Sequence, residues 1–303
     1  MNARGEGRRK FLSKAARAAA GAALLGAQAW VRAAAPDVCV ARGGLVAQRL
    51  WAAIDALGGM SAFVAPGSRV LIKVNAAFSE PPETGGTVTP QVARALVQFV
   101  KGAGARSIVV LDHCCSNRGL FGTNADPTGI TQATAGERVR LFDPQNDPKN
   151  YVSHPVSGAP MRAIEVCREL FRADCVISLA RLKNHPVYGY TLTLKNMMGV
   201  TRNMYQFHRS FPEAIAALGV LVQPRVDLCI IDGTHRVTGW SAGGRGKLEP
   251  LGAIVAGRNL VSTDAAALTF YDVDPLRTYL RVAHERGVGV AALSALNIVR
   301  LRG

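Results

Sequence analysis

The six cysteines of this 303-residue sequence include no Cys-x-x-Cys pair, so an all-cysteine iron–sulfur cluster of the usual spacing is not expected. No run of five basic residues occurs and aromatics make up only 6% of the chain. A surface that tracks a phosphate backbone and stacks bases is therefore not expected, and no nucleic-acid partner is assigned despite the net charge of +15. Neither standard form of glycine-rich phosphate loop is present, which argues against a nucleotide-hydrolysing site. Charged residues reach only 19% while hydrophobic ones reach 49%. That balance excludes a disordered chain and describes a protein with a large buried core.

What is present begins with a leader. Arg8-Arg9-Lys10-Phe11-Leu12 reproduces a twin-arginine pattern, two arginines, any residue and two apolar ones, with Lys14 close behind. An Ala- and Gly-rich tract, Ala18 to Ala27, follows; it is too short for the ~20 residues of a membrane span. Ala27-Gln28-Ala29 offers a small-x-small cleavage site. The expectation is a signal peptide over residues 1–35, read by the twin-arginine translocase. The mature α/β domain, residues 36–303, would then be periplasmic, with no stable membrane anchor once the signal is cleaved. The leader holds seven basic residues against Glu6, so it carries +6 of the +15 charge. The remaining excess, spread through the chain, suits a cleft that attracts a small anion.

The rest of the sequence alternates short β-branched runs with helical patterns, the signature of an α/β fold: a largely parallel sheet with helices on both faces, in a single domain with a loop-rich insertion. Strands are expected at Arg69 to Asn75, Ser107 to Asp112, Val139 to Phe142, Cys175 to Leu179, Asp227 to Asp232 and Gly252 to Ala256. Helices are expected at Leu45 to Leu57, Met161 to Phe171, Pro212 to Leu218, Asp264 to Tyr271 and Pro275 to Arg286, and from the cap Thr89-Pro90 to Gly102. The span His113 to Pro160, dense in Gly, Pro, Asn and Asp, is the expected insertion. Cys175 and Cys229 fall inside apolar runs and read as buried thiols.

In parallel sheets ligands sit beyond the carboxyl ends of the strands, so polar residues closing apolar runs are the candidates. Asn75, Asp112, Lys183 with His185, and Asp232 all stand in such places. The densest stretch runs from Lys183-Asn184-His185 to Lys195-Asn196. Lysine and asparagine donors suit carboxylate or phosphate oxygens, so Lys73, Asn75, Lys183, Lys195 and Asn196 are assigned to ligand binding. His185 and Asp232 are the expected proton-moving, catalytic groups. Asp112, His113 and Cys114, with His208, form a donor mixture soft enough for zinc, iron or copper. A metal ion is the cofactor these residues would take.

Several of these segments together resemble one family. Lys73-Val74-Asn75, Thr89-Pro90, Leu182 to His185, Leu194 to Gly199, Ile231-Asp232-Gly233 and the run from Ala256-Gly257 to Thr263-Asp264 are similar, in order and spacing over residues 69–300, to the motifs of the family called domain of unknown function 362. The resemblance implies a bacterial or archaeal origin. It also implies relatives that carry a twin-arginine leader or a ferredoxin-like module, of which this chain has the leader. The chain departs from the family pattern at Ser241 to Gly246, where Gly-Pro followed by a glycine is usual after the Asp-Gly motif, and at Cys114-Cys115. The family implies no activity. The residues themselves point to an exported redox-linked or metal-dependent enzyme with an anion-binding cleft, or to a non-catalytic periplasmic binding or cofactor-maturation protein built on the same pocket.

Overall fold

The computed structural model describes residues 35–115, 120–240 and 244–303. The twin-arginine segment lies outside them. Pro36 to Gly303 forms one unit, and among the described residues no helix is long and apolar enough to cross a membrane.

Five runs form the parallel part of the sheet, and the inner ones read as continuous apolar stretches because both of their faces are covered. They are β2 (Arg69–Lys73), β3 (Ser107–Leu111), β4 (Val139–Phe142), β7 (Cys175–His185) and β9 (Leu228–Thr238), all parallel, in the order β4-β3-β2-β7-β9. Beyond β9 the sheet turns antiparallel at β10 (Lys247–Gly257) and β1 (Val38–Arg42), and β11 (Ile298–Arg302) closes that edge parallel to β1. Successive side chains of a strand point to opposite faces, and the core divides accordingly. Val70 and Ile72 meet α1 (Val46–Asp55) and α2 (Pro90–Gly102) on one face. Leu71 faces α6 (Phe211–Val222), α7 (Leu260–Leu268) and α8 (Leu280–Glu285) on the other. Short helices α3 (Ile130–Thr134), α4 (Arg168–Arg172) and α5 (Thr193–Asn196) complete the set. This is the expected α/β architecture, with an antiparallel margin that sequence periodicity did not reveal.

Two sequence expectations are corrected. Met161 to Phe171 is not one helix. Ala163–Cys167 is strand β6, paired antiparallel with β5 (Tyr151–Pro155) in a separate two-stranded sheet, and only Arg168–Arg172 is helical. Ile164 and Val166 are buried while Glu165 between them is only partly so, a period of two that tertiary packing selects over the helical one. The helix expected at Asp264 begins four residues earlier, where the Asn259 side chain accepts from the N–H groups of Val261 and Ser262 at 3.0 Å each. Pro275 to Arg286 holds a 3₁₀ turn and then α8, and Asp274 caps the turn as its position before proline suggests. Strands β1 and β11 had no counterpart in the sequence reading.

The chain winds outward from β2 to β4 and then returns to place β7 on the other side of β2. The crevice between the carboxyl ends of β2 and β7 is therefore the topological switch point, the place where such sheets hold ligands.

Neighbouring β7 and β9 are joined inside the sheet by Arg181 and Asp232, register partners 2.7 Å apart and wholly buried. Asp232 also accepts the N–H of Thr89 at 2.7 Å, which ties the start of α2 to the sheet, and that of Thr234 at 2.9 Å. Burial pushes the Asp232 carboxyl up, but Arg181 and these bonds outweigh it and hold the group below the usual aspartate range. Replacing Asp232 with Ala or Arg181 with Met leaves an unmatched charge inside the sheet, and urea titrations are expected to show a loss of about 3–5 kcal/mol. The double replacement Arg181→Met, Asp232→Leu is expected to cost less than the sum of the two. The stability that Asp232 contributes is present above the ordinary aspartate pKa of about 3.9 and is lost as pH falls through its lower folded value.

Candidate functional site

A cavity of about 250 Å³ opens at the switch point. Its floor is a buried knot of polar groups. Lys73, the last residue of β2, places its ammonium 2.6 Å from the carboxylate of Asp112, which follows β3. The same Nζ donates to the carbonyl of Val74 at 2.6 Å and to Oδ1 of Asn196 at 3.0 Å. All three Lys73 donors are thus engaged. Asn196 returns its amide to the Lys73 carbonyl at 3.0 Å and to Oγ of Ser178 on β7 at 3.1 Å, while Asp112 accepts from the N–H groups of Ala76 at 2.5 Å and His113 at 2.8 Å.

The short helix α5 carries Lys195 and Asn196 to this place because another carboxylate fixes its start. Asp264 of α7 accepts the N–H of Thr193 at 2.7 Å, that of Leu194 at 3.0 Å and the Thr193 hydroxyl at 2.5 Å. Burial pushes the Asp264 carboxyl up to about 7 against the pull of these bonds. The hairpin of β7 with β8 (Gly189–Thr191) supplies Lys183, His185 and Thr191, since Lys183 and Thr191 are register partners.

Lys183 is buried and donates to the carbonyl of Gly86. Its Nζ lies 3.8 Å from the ring centroid of Trp240 and 5.7 Å from that of Phe78, contacts that favour the ammonium form. Burial, then the charge of Lys195, pull its pKa down to about 7, with Glu80 opposing. Among the described residues Lys195 has no hydrogen bond and no ion pair, and burial pushes it down to about 8. His185 accepts at Nδ1 from the N–H groups of Val187 at 3.2 Å and Tyr188 at 3.1 Å. An imidazole that accepts at Nδ1 is neutral and carries its proton at Nε2. Burial and then the charges of Lys195, Lys183 and His208 lower its pKa to about 3, which agrees with that tautomer. Asn75 Oδ1 and Thr191 Oγ1 also line the cavity, buried and without a partner among the described residues.

The structure therefore brings together all five residues expected to bind a ligand, with His185, Asp112 and His208. It separates the others. Asp232 is absent from the lining; its carboxylate is committed to Arg181, so the proton-moving role expected for it is corrected to a structural one. The four expected metal ligands do not meet. Asp112 is held by Lys73, His113 Nδ1 is 3.0 Å from the carbonyl of Thr201, Cys114 Sγ is 3.7 Å from the carbonyl of Ala76, and His208 Nδ1 is 2.5 Å from the Tyr188 hydroxyl. His113 and Cys114 face a neighbouring hollow with Glu165 and Arg202. Among the described residues no three His, Cys, Asp or Glu side chains are grouped to hold a metal ion. The physical reason is that adjacent residues of an extended chain diverge. All six cysteines are free, with Cys175 and Cys229 buried as expected.

Sequence reasoning missed the walls, which are Phe78, Trp240, Tyr205, Met198 and Met204, and the hydroxyl of Thr191. It also passed over Gly239-Trp240-Ser241-Ala242-Gly243, which has the Gly-x-Ser-x-Gly spacing of a hydrolase nucleophile. That motif works as a strand-to-helix elbow; its Ser241, Ala242 and Gly243 lie outside the described residues.

Gly199 touches the floor. A Cβ added there would stand 2.6 Å from Cε and 2.7 Å from Nζ of Lys73, so Gly199→Ala must displace the Lys73–Asp112 pair. It is expected to cost about 1–3 kcal/mol in urea unfolding, the range of an overpacked core.

The chain is similar to a thylakoid-associated protein of Synechocystis sp. (strain ATCC 27184 / PCC 6803 / Kazusa), 24% identical over 245 residues, 77% of this chain and 72% of that protein. Among solved structures it is similar to the lactate racemase apoprotein from Thermoanaerobacterium thermosaccharolyticum, with a TM-score of 0.47, 10% identity, and coverage of 77% of this chain and 56% of that one. It is also similar to a structural-genomics protein from Thermotoga maritima, with a TM-score of 0.43, 12% identity, and coverage of 80% and 57%. The chain spans a little over half the length of these two structures. Residues 70–269, which hold the knot and both cavity lysines, match the family described as "Domain of unknown function (DUF362)", and the chain belongs to that family.

Proposed function

We propose that the cavity binds a small organic anion, its carboxylate or phosphate held between Lys183 and Lys195, and that the protein acts on this ligand as an enzyme. The observation that carries the reading is the pairing of buried Lys183 with half-buried Lys195 on one small cavity, with no carboxylate in ion-pair contact with either among the described residues. Cations held away from water with no carboxylate in ion-pair contact are costly, and a bound anion reduces that cost. Asn75 and Thr191 add polar atoms without partners among the described residues, and the Nε2–H of His185 adds a donor that can meet a ligand oxygen. Phe78, Trp240 and Tyr205 give the remainder of the ligand an apolar wall, the usual composition of a small-molecule site.

The arrangement of Arg8-Arg9-Lys10-Phe11-Leu12 ahead of a weakly apolar tract supports export of the folded chain by the twin-arginine translocase, with the ligand encountered or retained in the periplasm.

Titration calorimetry with malonate and with inorganic phosphate tests the site. Binding of at least one is expected, with Lys183→Met or Lys195→Met weakening it by roughly ten- to a hundredfold, the worth of about 1.5–3 kcal/mol for a charged hydrogen bond. No heat from any carboxylate or phosphate, or full affinity in both variants, would sink the reading. Because the anion is held by ammonium groups, affinity is expected to be greatest at low pH and to fall as pH rises through about 7 for Lys183 and about 8 for Lys195. Fusion of residues 1–35 to a reporter that needs to fold before export tests the leader; the pair Arg8→Lys, Arg9→Lys is expected to abolish its passage.

A further inference from the structure

We propose that Lys195 forms an imine with the carbonyl carbon of a 2-oxo acid whose carboxylate is held by Lys183 in the same cavity. The inference rests on the anion-site reading and deepens it by naming the substrate class and the reacting atom.

Lys183 and Lys195 are not equivalent. Lys183 has a carbonyl acceptor, Gly86, and lies against the faces of Trp240 and Phe78, surroundings that suit a standing cation. Among the described residues Lys195 has neither a hydrogen bond nor an ion pair, and the centroid of the Phe211 ring is 5.9 Å away. An amine that is desolvated, lacks an acceptor for its proton and shares a small cavity with a second cation is the arrangement that yields a neutral, nucleophilic lysine near neutral pH. Burial lowers Lys195 to about 8 and Lys183 further, to about 7; the carboxylate held against Lys183 restores that lysine's charge and leaves Lys195 as the amine free to react. The third cavity lysine cannot compete, because all three Lys73 donors are taken by Asp112, Val74 and Asn196.

The substrate class follows from the pair. An imine requires an aldehyde or ketone, and Lys183 requires an anion close to it. A carbonyl next to a carboxylate satisfies both in about 250 Å³. In the step, the neutral Nζ of Lys195 attacks the carbonyl carbon, the C–N bond forms and the π pair moves to oxygen, which is protonated. The resulting carbinolamine then loses its hydroxyl with a further proton as water, while the nitrogen lone pair closes the C=N bond. The balance is amine plus ketone giving imine plus water, with no oxidant or reductant. His185, neutral and with its single proton at Nε2, supplies a hydrogen bond to the carbonyl oxygen.

The test is reductive trapping. The full chain is incubated with pyruvate and sodium cyanoborohydride, and the product is read by intact mass and peptide mapping. One reduced adduct per chain is expected, on the peptide carrying Lys195. Malonate is expected to suppress it, and acetone, a ketone without a carboxylate, should give labelling no greater than that of the exposed Lys149 and Lys247. Lys195→Arg is expected to lose the adduct while still binding malonate, and Lys183→Gln to slow trapping by tenfold or more. An adduct confined to Lys183, one spread over Lys149 and Lys247, or none at all in a chain that binds malonate overturns this inference and leaves the anion site standing. Absence of both trapping and malonate binding removes the anion site as well. Because peptide mapping of the unaltered chain locates the adduct, the result does not depend on any variant folding.

Discussion

The ion pair between Lys73 and Asp112, with Asn196 bridging it to β7, is the constraint on which the site depends. It gathers the ends of β2 and β3, the last residue of α5 and the side of β7 into one buried knot at the crevice that the chain's winding leaves in the parallel sheet. Each member is satisfied by the others, as a buried polar network must be to rigidify a fold and not to weaken it. A rigid floor lets the second ring of charges, Lys183 and Lys195, stand in the cavity without collapsing onto the nearest carboxylate, because that carboxylate is already committed.

The central sheet was legible because strands covered on both faces read as unbroken apolar runs, as in Val70-Leu71-Ile72 and Ile108-Val109-Val110. The cavity lysines Lys73 and Lys183 were legible for a related reason, since a charged residue closing such a run lands at the carboxyl edge. What was not legible is the partner each of these residues chooses. Asp232 and Asp112 end apolar runs in the same way, yet one meets an arginine on the adjacent strand and the other a lysine beneath a cavity. Both partners are distant in sequence. The metal expectation failed on local geometry, since Asp112-His113-Cys114 looks like a cluster only when written in one line. The aromatic wall failed on distance, as Phe78 and Trp240 stack edge to face with centroids 5.1 Å apart although 162 positions separate them.

Asp264 shows how support for the site is layered. It touches no cavity wall, yet by holding the first turn of α5 it decides where Lys195 and Asn196 point. Its own helix is fixed in turn by the Asn259 cap. A disturbance at that cap would reach the cavity through two short, stiff links.

The far edge of the sheet has a different consequence. β1 and β11 run parallel over five register pairs, Val38 with Ile298 through Arg42 with Arg302, so the unit's first strand and its last lie side by side with their free ends at opposite extremities. Tension applied between the two chain ends would load that ladder in shear, stretching its hydrogen bonds together and not unzipping them one by one. The fold is thereby built to resist being pulled apart along its own chain, and the resistance is concentrated as far from the cavity as this side of the sheet allows.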